Sequence, residues 1–194
     1  MMNNNVSIIN YDKCYGCELC SSICPYESIS MVSDMEGFIR PHINFDKCIN
    51  CGACLKHCPV ENIDKIQLST HNQRIFALSL SNTNSLKKSS SGGASYAIMR
   101  AAMKLGYIVY GVSYDEDYRG CHYQRAENIS ELDALRGTKY IQSRKNGVYK
   151  DIQKCLQEEK QIVFIGLPCE VAAVKLFLNN NYDNIICNII IAEK

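Results

Sequence analysis

The chain has 194 residues, of which 46% are hydrophobic and 21% charged, and its formal net charge is +1. These values are ordinary for a globular protein of one medium or two small domains, and the charge balance gives no reason to expect nucleic acid or an anionic membrane as a partner. No run approaches the ~20 apolar residues of a membrane helix, and the polar start, Met1 to Asn5, does not look like a secretory signal. Since twelve cysteines without an export signal favour a reducing compartment, we expect a cytoplasmic protein.

The predicted elements begin with Val6 to Ile9, an apolar stretch that we expect to be a short strand. It leads into two runs of cysteines that repeat one pattern, C-x2-C-x2-C-x3-C-P. The runs are Cys14, Cys17, Cys20 and Cys24 before Pro25, and Cys48, Cys51, Cys54 and Cys58 before Pro59. This is the spacing of bacterial two-cluster ferredoxins.

The spacing has a physical reason. A four-iron cluster needs a thiolate at each iron, and three cysteines spaced two residues apart reach three corners of one cube only if the backbone curls tightly around it. The fourth cysteine, stopped by proline, then points to the other cluster. We therefore predict two 4Fe-4S clusters with interlocked ligands: Cys14, Cys17, Cys20 and Cys58 for one, and Cys48, Cys51, Cys54 and Cys24 for the other.

The two halves agree outside the ligands as well. Tyr11 to Cys14 matches Phe45 to Cys48, and Pro25 to Ile29 matches Pro59 to Ile63. The match indicates an internal repeat and a close resemblance to the two-cluster 4Fe-4S ferredoxin domain over the whole segment. Zinc sites and disulfides are the alternatives, but zinc sites use pairs of cysteines rather than runs of three and would leave the prolines unexplained.

Between and after the runs, the pattern changes twice. A short helical turn is predicted from Tyr26 to Met31, and a small hairpin around the polar stretch Ser33 to Gly37. Arg74 to Ser81, where apolar and small polar residues alternate, is predicted to be the first strand of a second domain. We therefore expect an iron–sulfur domain at residues 1–68 and a second domain at residues 74–194.

A serine- and glycine-rich stretch, Lys87 to Ala94, runs into an apolar stripe from Tyr96 to Leu105 that predicts a helix ending at Gly106. Free N–H groups at the start of that helix would suit a phosphate, and the two lysines before the loop would help. On these residues alone, an N-cap on a flexible loop is the alternative.

Predicted strands and helices alternate in the rest of the chain. The strands are Gly106 to Tyr114, Arg119 to Arg125, Gln161 to Gly166 and Ile185 to Ile191, and the helices are Ile129 to Leu135, Asn146 to Lys160 and the stretch around Val171, Val174 and Leu178. The predicted fold class is therefore α/β: an α+β ferredoxin-like domain followed by a partial α/β domain.

Four short motifs follow one another in this second domain. They are Ser91-Gly92-Gly93, Gly111-Val112 with Tyr114-Asp115, Arg136-Gly137-Thr138-Lys139-Tyr140 with Gln142-Ser143, and Phe164-Ile165-Gly166-Leu167-Pro168-Cys169-Glu170. In this order they resemble the beta-subunit family of coenzyme F420 hydrogenases and dehydrogenases, where a preceding ferredoxin domain is common. The resemblance implies an oxidoreductase in which FAD couples one-electron clusters to two-electron chemistry with coenzyme F420 or another soluble acceptor.

By that resemblance, seven residues are candidates to contact the flavin or its phosphates: Ser91, Gly92, Gly93, Gly137, Thr138, Lys139 and Tyr140. Thr138 stands where members of the family usually have serine. The family also continues into a Cys-His-Gly segment, whereas Cys187 is followed here by Asn188. The resemblance therefore covers the family's N-terminal half only, and we expect a flavin domain truncated at its C-terminus, which a partner chain would complete.

The remaining cysteines, Cys121, Cys155, Cys169 and Cys187, have irregular spacings. We interpret them as small buried residues, with a third cluster as the alternative and Cys169 as its best ligand. Two functions stay open: an iron–sulfur flavoprotein that passes electrons to a flavin-linked acceptor, or an electron carrier or adaptor without catalytic activity. Both need a redox partner protein or a soluble electron acceptor.

Overall fold

The structure is a computed structural model that describes residues 3–62, 64, 77–179 and 182–189. Of these, residues 3–62, 64 and 172–179 form one compact unit, and residues 77–171 with 182–189 form the other. The described residues mix helices with sheets, which confirms the predicted α/β class.

Short elements surround the cysteine runs in the first unit. Two 3-10 helices, Val6–Ile8 and Tyr11–Lys13, precede the first run. The elements that follow are α1 (Leu19–Ile23), β1 (Ile29–Ser33), β2 (Ile39–Ile43) and α2 (Ala53–Lys56). β1 and β2 pair antiparallel, with Ser33 opposite Ile39, so the predicted hairpin is confirmed.

Two local predictions in this unit are wrong. Val6 to Ile9 begins as a 3-10 helix rather than a strand, because Asn5 Oδ1 accepts a hydrogen bond from Ser7 N over 2.9 Å and caps a helical turn. The predicted helical turn from Tyr26 to Met31 gives way to β1, whose backbone groups pair with β2 instead of with their own neighbours.

The second unit contains a four-stranded sheet in the described residues. Its strands are β3 (Ile108–Tyr114), β4 (Cys121–Ala126), β5 (Ile162–Gly166) and β6 (Ile185–Ile189), in the order β4-β3-β5-β6. β3, β5 and β6 run parallel, and β4 pairs antiparallel with β3 at an edge.

The helices that follow α2 in the chain are α3 (Thr83–Lys87), α4 (Ala94–Lys104), α5 (Ile129–Ala134), α6 (Val148–Gln157) and α7 (Pro168–Phe177). Residues 172–177 of α7 belong to the first unit. The elements predicted from Tyr96 onward are thus confirmed within a few residues, although residues 190 and 191 of the last strand lie outside the described residues. No helix in the described part of the chain is long and apolar enough to span a membrane.

The strand predicted at Arg74 to Ser81 is wrong where the structure describes it. Residues 77–81 join no sheet, and Leu80 N instead donates a hydrogen bond to Gly92 O over 2.8 Å. Residues 74–76 and the predicted boundary between residues 68 and 74 lie outside the described residues.

Alternate side chains of the parallel strands pack against helices on both faces of the sheet. Val109 of β3 is fully buried in a cluster with Met99 of α4 and Leu132 of α5. The next residue, Tyr110, points to the opposite face and donates a hydrogen bond to Asp151 of α6 over 2.6 Å. Because β3 and β5 run parallel, their carboxyl ends meet at one edge of the sheet, the usual place for a ligand in an open α/β sheet.

Candidate metal centre

The eight cysteines of the two runs divide between two cavities of the first unit. The larger cavity, about 240 Å³, is lined by Cys14, Cys17 and Cys20 of the first run and by Cys58 of the second, and we call it site I. The smaller, about 10 Å³, is lined by Cys48, Cys51 and Cys54 of the second run and by Cys24 of the first, and we call it site II. Each cavity therefore takes three thiols from one run and the fourth from the other.

The two runs curl in the same way. Gly16 and Asn50, the last residues before the second cysteine of each run, have φ of 62° and 54°. Glu18 and Gly52, the first residues after that cysteine, have φ of 61° and 79°. These left-handed residues bend the backbone around each cavity, a conformation that glycine and asparagine adopt most easily. Glu18 is neither glycine nor asparagine, so its left-handed backbone costs more conformational energy than that of the other three residues.

Hydrogen bonds surround the sulfur of Cys24, the thiol that the first run contributes to site II. Its Sγ lies 3.2 Å from the hydroxyl of Ser28. Burial raises the pKa of Cys24, but the Ser28 hydroxyl and the backbone N–H groups of Ser28, Tyr26 and Glu27 outweigh it, so the pKa lies below its usual range. The turn after Pro25 thus stabilises a thiolate at this position.

The corresponding turn after Pro59 also lowers the pKa of its cysteine, Cys58, through the backbone N–H groups of Val60 and Glu61. Burial has the larger effect here, so the pKa of Cys58 is raised overall. Burial and the charges of nearby thiolates also raise the pKa of Cys20. Four thiolates brought this close repel one another, so the donor set fits a group that binds thiolates through metal ions, as an iron–sulfur cluster does.

Apolar residues form the interior of this unit. Val6, Ile29, Ile43 and Cys54 are buried together, and Met31 packs against them. Several other cysteines of the runs are packed against the same residues. An apolar interior therefore borders the thiols of Cys20, Cys24, Cys48, Cys54 and Cys58. Cys51, by contrast, is exposed.

Asparagine side chains fix the second loop, a feature that the sequence analysis missed. Asn5 is 1% exposed, and its Nδ2 donates to Asn50 Oδ1 over 2.6 Å and lies 3.7 Å from Cys48 Sγ. Asn4 Nδ2 donates to the backbone oxygen of Asn50 over 3.3 Å. The N-terminal residues thus tie down the loop that lines site II.

A second pair of asparagines begins the turn before each run. Asn10 Oδ1 accepts from Asp12 N over 3.0 Å, and Asn44 Oδ1 accepts from Asp46 N over 2.9 Å. Both asparagines stand four residues before the first cysteine of a run. Extending the internal repeat by one residue would have revealed this shared cap.

The cysteines of the second unit do not gather around one place. Cys121 of β4 stands opposite Tyr114, whereas Cys155 of α6 accepts a hydrogen bond from Tyr110, four residues earlier in β3, over 3.4 Å. Four residues of strand span ~13 Å, so these two thiols do not share a cluster. Among the described residues, no three His, Cys, Asp or Glu side chains converge on a single metal ion.

The structure brings the two segments predicted to contact flavin next to each other. Thr138 N donates to Ser90 Oγ over 2.7 Å, and Arg136 Nε donates to Ser89 Oγ over 3.1 Å. The Arg136 guanidinium also stacks 3.6 Å above the ring of Tyr96 in α4. Residues 89–93 and 137–140 therefore lie side by side at the start of α4, where Gly93 precedes the helix without a side-chain cap.

Single residues of these segments differ in what surrounds them. Ser91 is exposed, and Gly92 lies so close to Leu78 O that a β-carbon would collide with it. Lys139 Nζ donates to three carbonyl oxygens around the end of α5, over 2.8 to 3.3 Å, and burial lowers its pKa to about 8. Tyr140 is 86% exposed. The structure thus assigns Lys139 to the end of α5 and leaves Tyr140 at the surface.

A buried ion pair at the carboxyl end of β5 was also missed. Lys145 Nζ lies 2.9 Å from Glu170 Oε1, with side chains 2% and 8% exposed. Ser143 and Tyr123 donate to the same carboxylate over 2.8 and 2.6 Å, and Leu167 N does so over 2.8 Å. Burial raises the pKa of Glu170, but the Lys145 charge and these hydrogen bonds outweigh it and lower the pKa. The carboxylate therefore fixes the turn into α7, and the 25-residue separation from Lys145 gave no signal in the sequence.

Two cavities, each lined by four cysteines with one exchanged between the runs, give the first unit the ligand arrangement of a two-cluster iron–sulfur protein. Two family models, both described as a 4Fe-4S dicluster domain, match residues 13–62 and 40–102. The first match contains both cysteine runs, and the second overlaps it across the run that begins at Cys48. The N-terminal region is thus of the 4Fe-4S dicluster type, with the electron-transfer role that such clusters have. A comparison with curated proteins found no match.

Proposed function

We propose that the chain passes electrons singly through two 4Fe-4S clusters, one held at site I and one at site II. The observation that carries this proposal is the division of eight thiols into two sets of four, with one thiol exchanged between the runs. Each cluster stores one electron at a time. Electrons come from, or go to, a redox partner protein or a soluble acceptor.

The chain's own residues have three tasks at these sites. The thiols of each run would bind the iron atoms. The turns after Pro25 and Pro59 donate hydrogen bonds to sulfur. The apolar interior around Val6 and Ile29 excludes water. Hydrogen bonds to sulfur and limited exposure are among the factors that set cluster potentials. Because cluster assembly needs reduced thiols, and the cysteines of the described residues form no disulfide, we place the protein in a reducing cytoplasm.

We further propose that the second unit links these electrons to a flavin, FAD, and through it to an acceptor such as coenzyme F420. The supporting observation is the contact between residues 89–93 and 137–140 at the start of α4, where free N–H groups favour a phosphate. Ser113 of β3 shares a sheet face with Val109 and Gly111, and its buried hydroxyl has no hydrogen-bond partner within the described residues. A bound cofactor would give that hydroxyl a partner.

The alternative function, an electron carrier or adaptor without catalysis, is favoured by a different observation. Lys139 is engaged with carbonyl oxygens around the end of α5 and Tyr140 is at the surface, so neither faces a cofactor in this arrangement. A partner chain that contributes to the flavin site would reconcile the two functions.

A reductive titration tests the electron-transfer proposal. We expect the clusters of anaerobically purified protein to take up about two electrons per chain, in addition to about two for each FAD bound, and to release them to ferricyanide, a one-electron acceptor. A variant with Cys20→Ala and Cys54→Ala, which removes one thiol from each site, is expected to take up far less. Uptake by that variant equal to the wild type would contradict the proposal.

Equilibrium dialysis with FAD separates the flavin proposal from the carrier alternative. If the loop before α4 holds the phosphates, Ser91→Asp places a negative charge against them and weakens FAD binding at least tenfold. Ser30→Asp is the matched control, because it adds the same charge at an exposed serine of β1, in the first unit. No FAD binding by the wild type, or equal binding by all three proteins, would leave the carrier function.

A further inference from the structure

A positively charged side chain is held against site I. Arg40 of β2 donates a hydrogen bond from Nη1 to the backbone oxygen of Cys14, whose thiol lines that site. We infer that Arg40 raises the reduction potential of the cluster at site I. The inference rests on the proposed function, since it requires a cluster there.

The hairpin fixes the guanidinium in this place. Arg40 Nε lies 3.4 Å from Asp34 Oδ2, and Tyr11 Oη donates to the same oxygen over 2.9 Å. Asp34 is itself anchored, because its Oδ1 accepts N–H groups of Glu36 and Phe38 over 3.0 and 2.8 Å. The Asp34 carboxylate therefore contacts the Nε side of the Arg40 guanidinium, and Nη1 remains available to donate to the Cys14 backbone oxygen.

Aromatic rings cover the same cation. The guanidinium carbon lies 4.7 Å from the centre of the Tyr11 ring and 5.3 Å from that of Phe38. The side chains of Arg40 and Asp34 are 12% and 13% exposed. The charge is only partly exposed, and the contact of Arg40 with the Cys14 backbone places it beside the cavity, where its effect on site I is screened less than that of a distant surface charge.

The sign of the effect follows from the charge that an electron adds. Reduction makes the group at site I more negative by one charge, so a nearby cation stabilises the reduced form and raises the potential. Glu18, which lines the same cavity, carries a negative charge with the opposite effect. Arg40 opposes that effect.

The internal repeat shows how site I differs from site II. Tyr11, which ties Asp34 and Arg40 together, corresponds to Phe45 in the second half, and phenylalanine has no hydroxyl. Near site II, a neutral amide, Asn5 Nδ2, lies 3.7 Å from Cys48 Sγ. Arg40 is therefore a cation fixed beside site I, and it raises the potential of that site above the value that Glu18 alone would set.

An anaerobic redox titration followed by electron paramagnetic resonance tests this inference. In Arg40→Gln we expect one of the two midpoint potentials to fall, so that the sharing of an electron between the clusters changes about tenfold, or ~59 mV for a one-electron couple. The other potential should stay unchanged. Arg40→Lys, which keeps the charge, should retain most of the wild-type value, and Arg119→Gln, which removes an exposed arginine, is the control.

The outcomes separate the inference from the proposed function. Unchanged potentials in Arg40→Gln, or an equal shift of both, would overturn the role of Arg40 while the clusters remain. If Arg40→Gln fails to bind iron, Asp34→Asn decides: removal of the opposing charge should raise the same potential, and no rise overturns the inference. A wild-type protein without clusters overturns the proposed function itself.

Discussion

Glu18 and Gly52 occupy the same place in the two cysteine runs and share a left-handed backbone, with φ of 61° and 79°. Each is followed directly by the helix that carries the third cysteine of its run, α1 after Glu18 and α2 after Gly52. A β-carbon in this region costs about 1 kcal/mol or more. Glu18 in the first loop is therefore under conformational strain, whereas Gly52 in the second loop, which has no β-carbon, is not.

A substitution at Gly52 tests the conformation of the second loop. In Gly52→Ala, the new β-carbon would stand 2.6 Å from Asn4 Nδ2, so the Asn4 side chain must leave Asn50, and the left-handed φ adds a further cost. We expect a loss of about 2 kcal/mol. Gly37→Ala is the control, because Gly37 has φ of 88° with no atom within 4 Å of a β-carbon, and it should lose about 1 kcal/mol. Thermal unfolding of the cluster-loaded proteins measures both, and an equal loss would contradict the expected contact.

The exchange of the fourth cysteine predicts which substitutions have the same effect. Cys24→Ala should remove the same redox transition from the titration as Cys48→Ala, although Cys24 belongs to the first run. Cys58→Ala should remove the redox transition that Cys14→Ala removes. A redox titration of the four variants checks the grouping. If Cys24→Ala instead behaves like Cys14→Ala, each run binds its own cluster and the interlocked arrangement is wrong.

The ion pair of Lys145 and Glu170 predicts a dependence of stability on pH. Because the pKa of Glu170 is lowered in the folded protein, its carboxylate stabilises the fold at neutral pH, and this contribution is lost as the pH falls from about 4.5 through the lowered pKa. Glu170→Gln leaves Lys145 buried without its partner and should cost about 3–5 kcal/mol at neutral pH. The deficit relative to wild type should shrink below pH 4.5.

Denaturant unfolding of wild type and variant across this pH range provides the measurement. Glu116→Gln, in the exposed turn between β3 and β4, is the matched control and should change the free energy of unfolding by less than about 0.5 kcal/mol at every pH. A deficit in Glu170→Gln that stays constant down to acidic pH would show that the carboxylate charge is not what stabilises this corner of the fold.

The contact between Ser90 and Thr138 predicts a local change in backbone protection. Ser90→Ala removes the acceptor of the Thr138 N–H group and should cost about 1 kcal/mol. Hydrogen exchange of residues 137–140 should become faster, while α4 stays protected because Tyr96 remains packed in the core. Ser81→Ala should change neither. Unchanged exchange at residues 137–140 would mean that this hydrogen bond does not order the segment.

Local patterns in the sequence were enough to predict the grouping of the thiols and most elements of the second unit. The spacing before Pro25 and Pro59 predicted how the thiols group, because tight curling around a cluster is a local property of each run. Apolar periodicity likewise predicted β3 to β6 and the helices between them. The strand expected at Val6 to Ile9 failed because one side chain, Asn5, caps a turn there.

Contacts between distant residues could not be predicted in this way. Arg40 reaches the backbone of Cys14 across 26 residues, and Tyr123 reaches Glu170 across 47. Neither pair has a spacing that a periodic pattern would reveal, since tertiary packing alone brings them together. The residues that tune the candidate site were for that reason found only in the folded chain.

Iron, zinc and acid-labile sulfide per chain, measured on anaerobically purified protein, test the central claim most directly. Two 4Fe-4S clusters predict about eight iron atoms and about eight sulfide ions per chain. Zinc in place of iron, or iron without acid-labile sulfide, would contradict the claim that sites I and II hold iron–sulfur clusters.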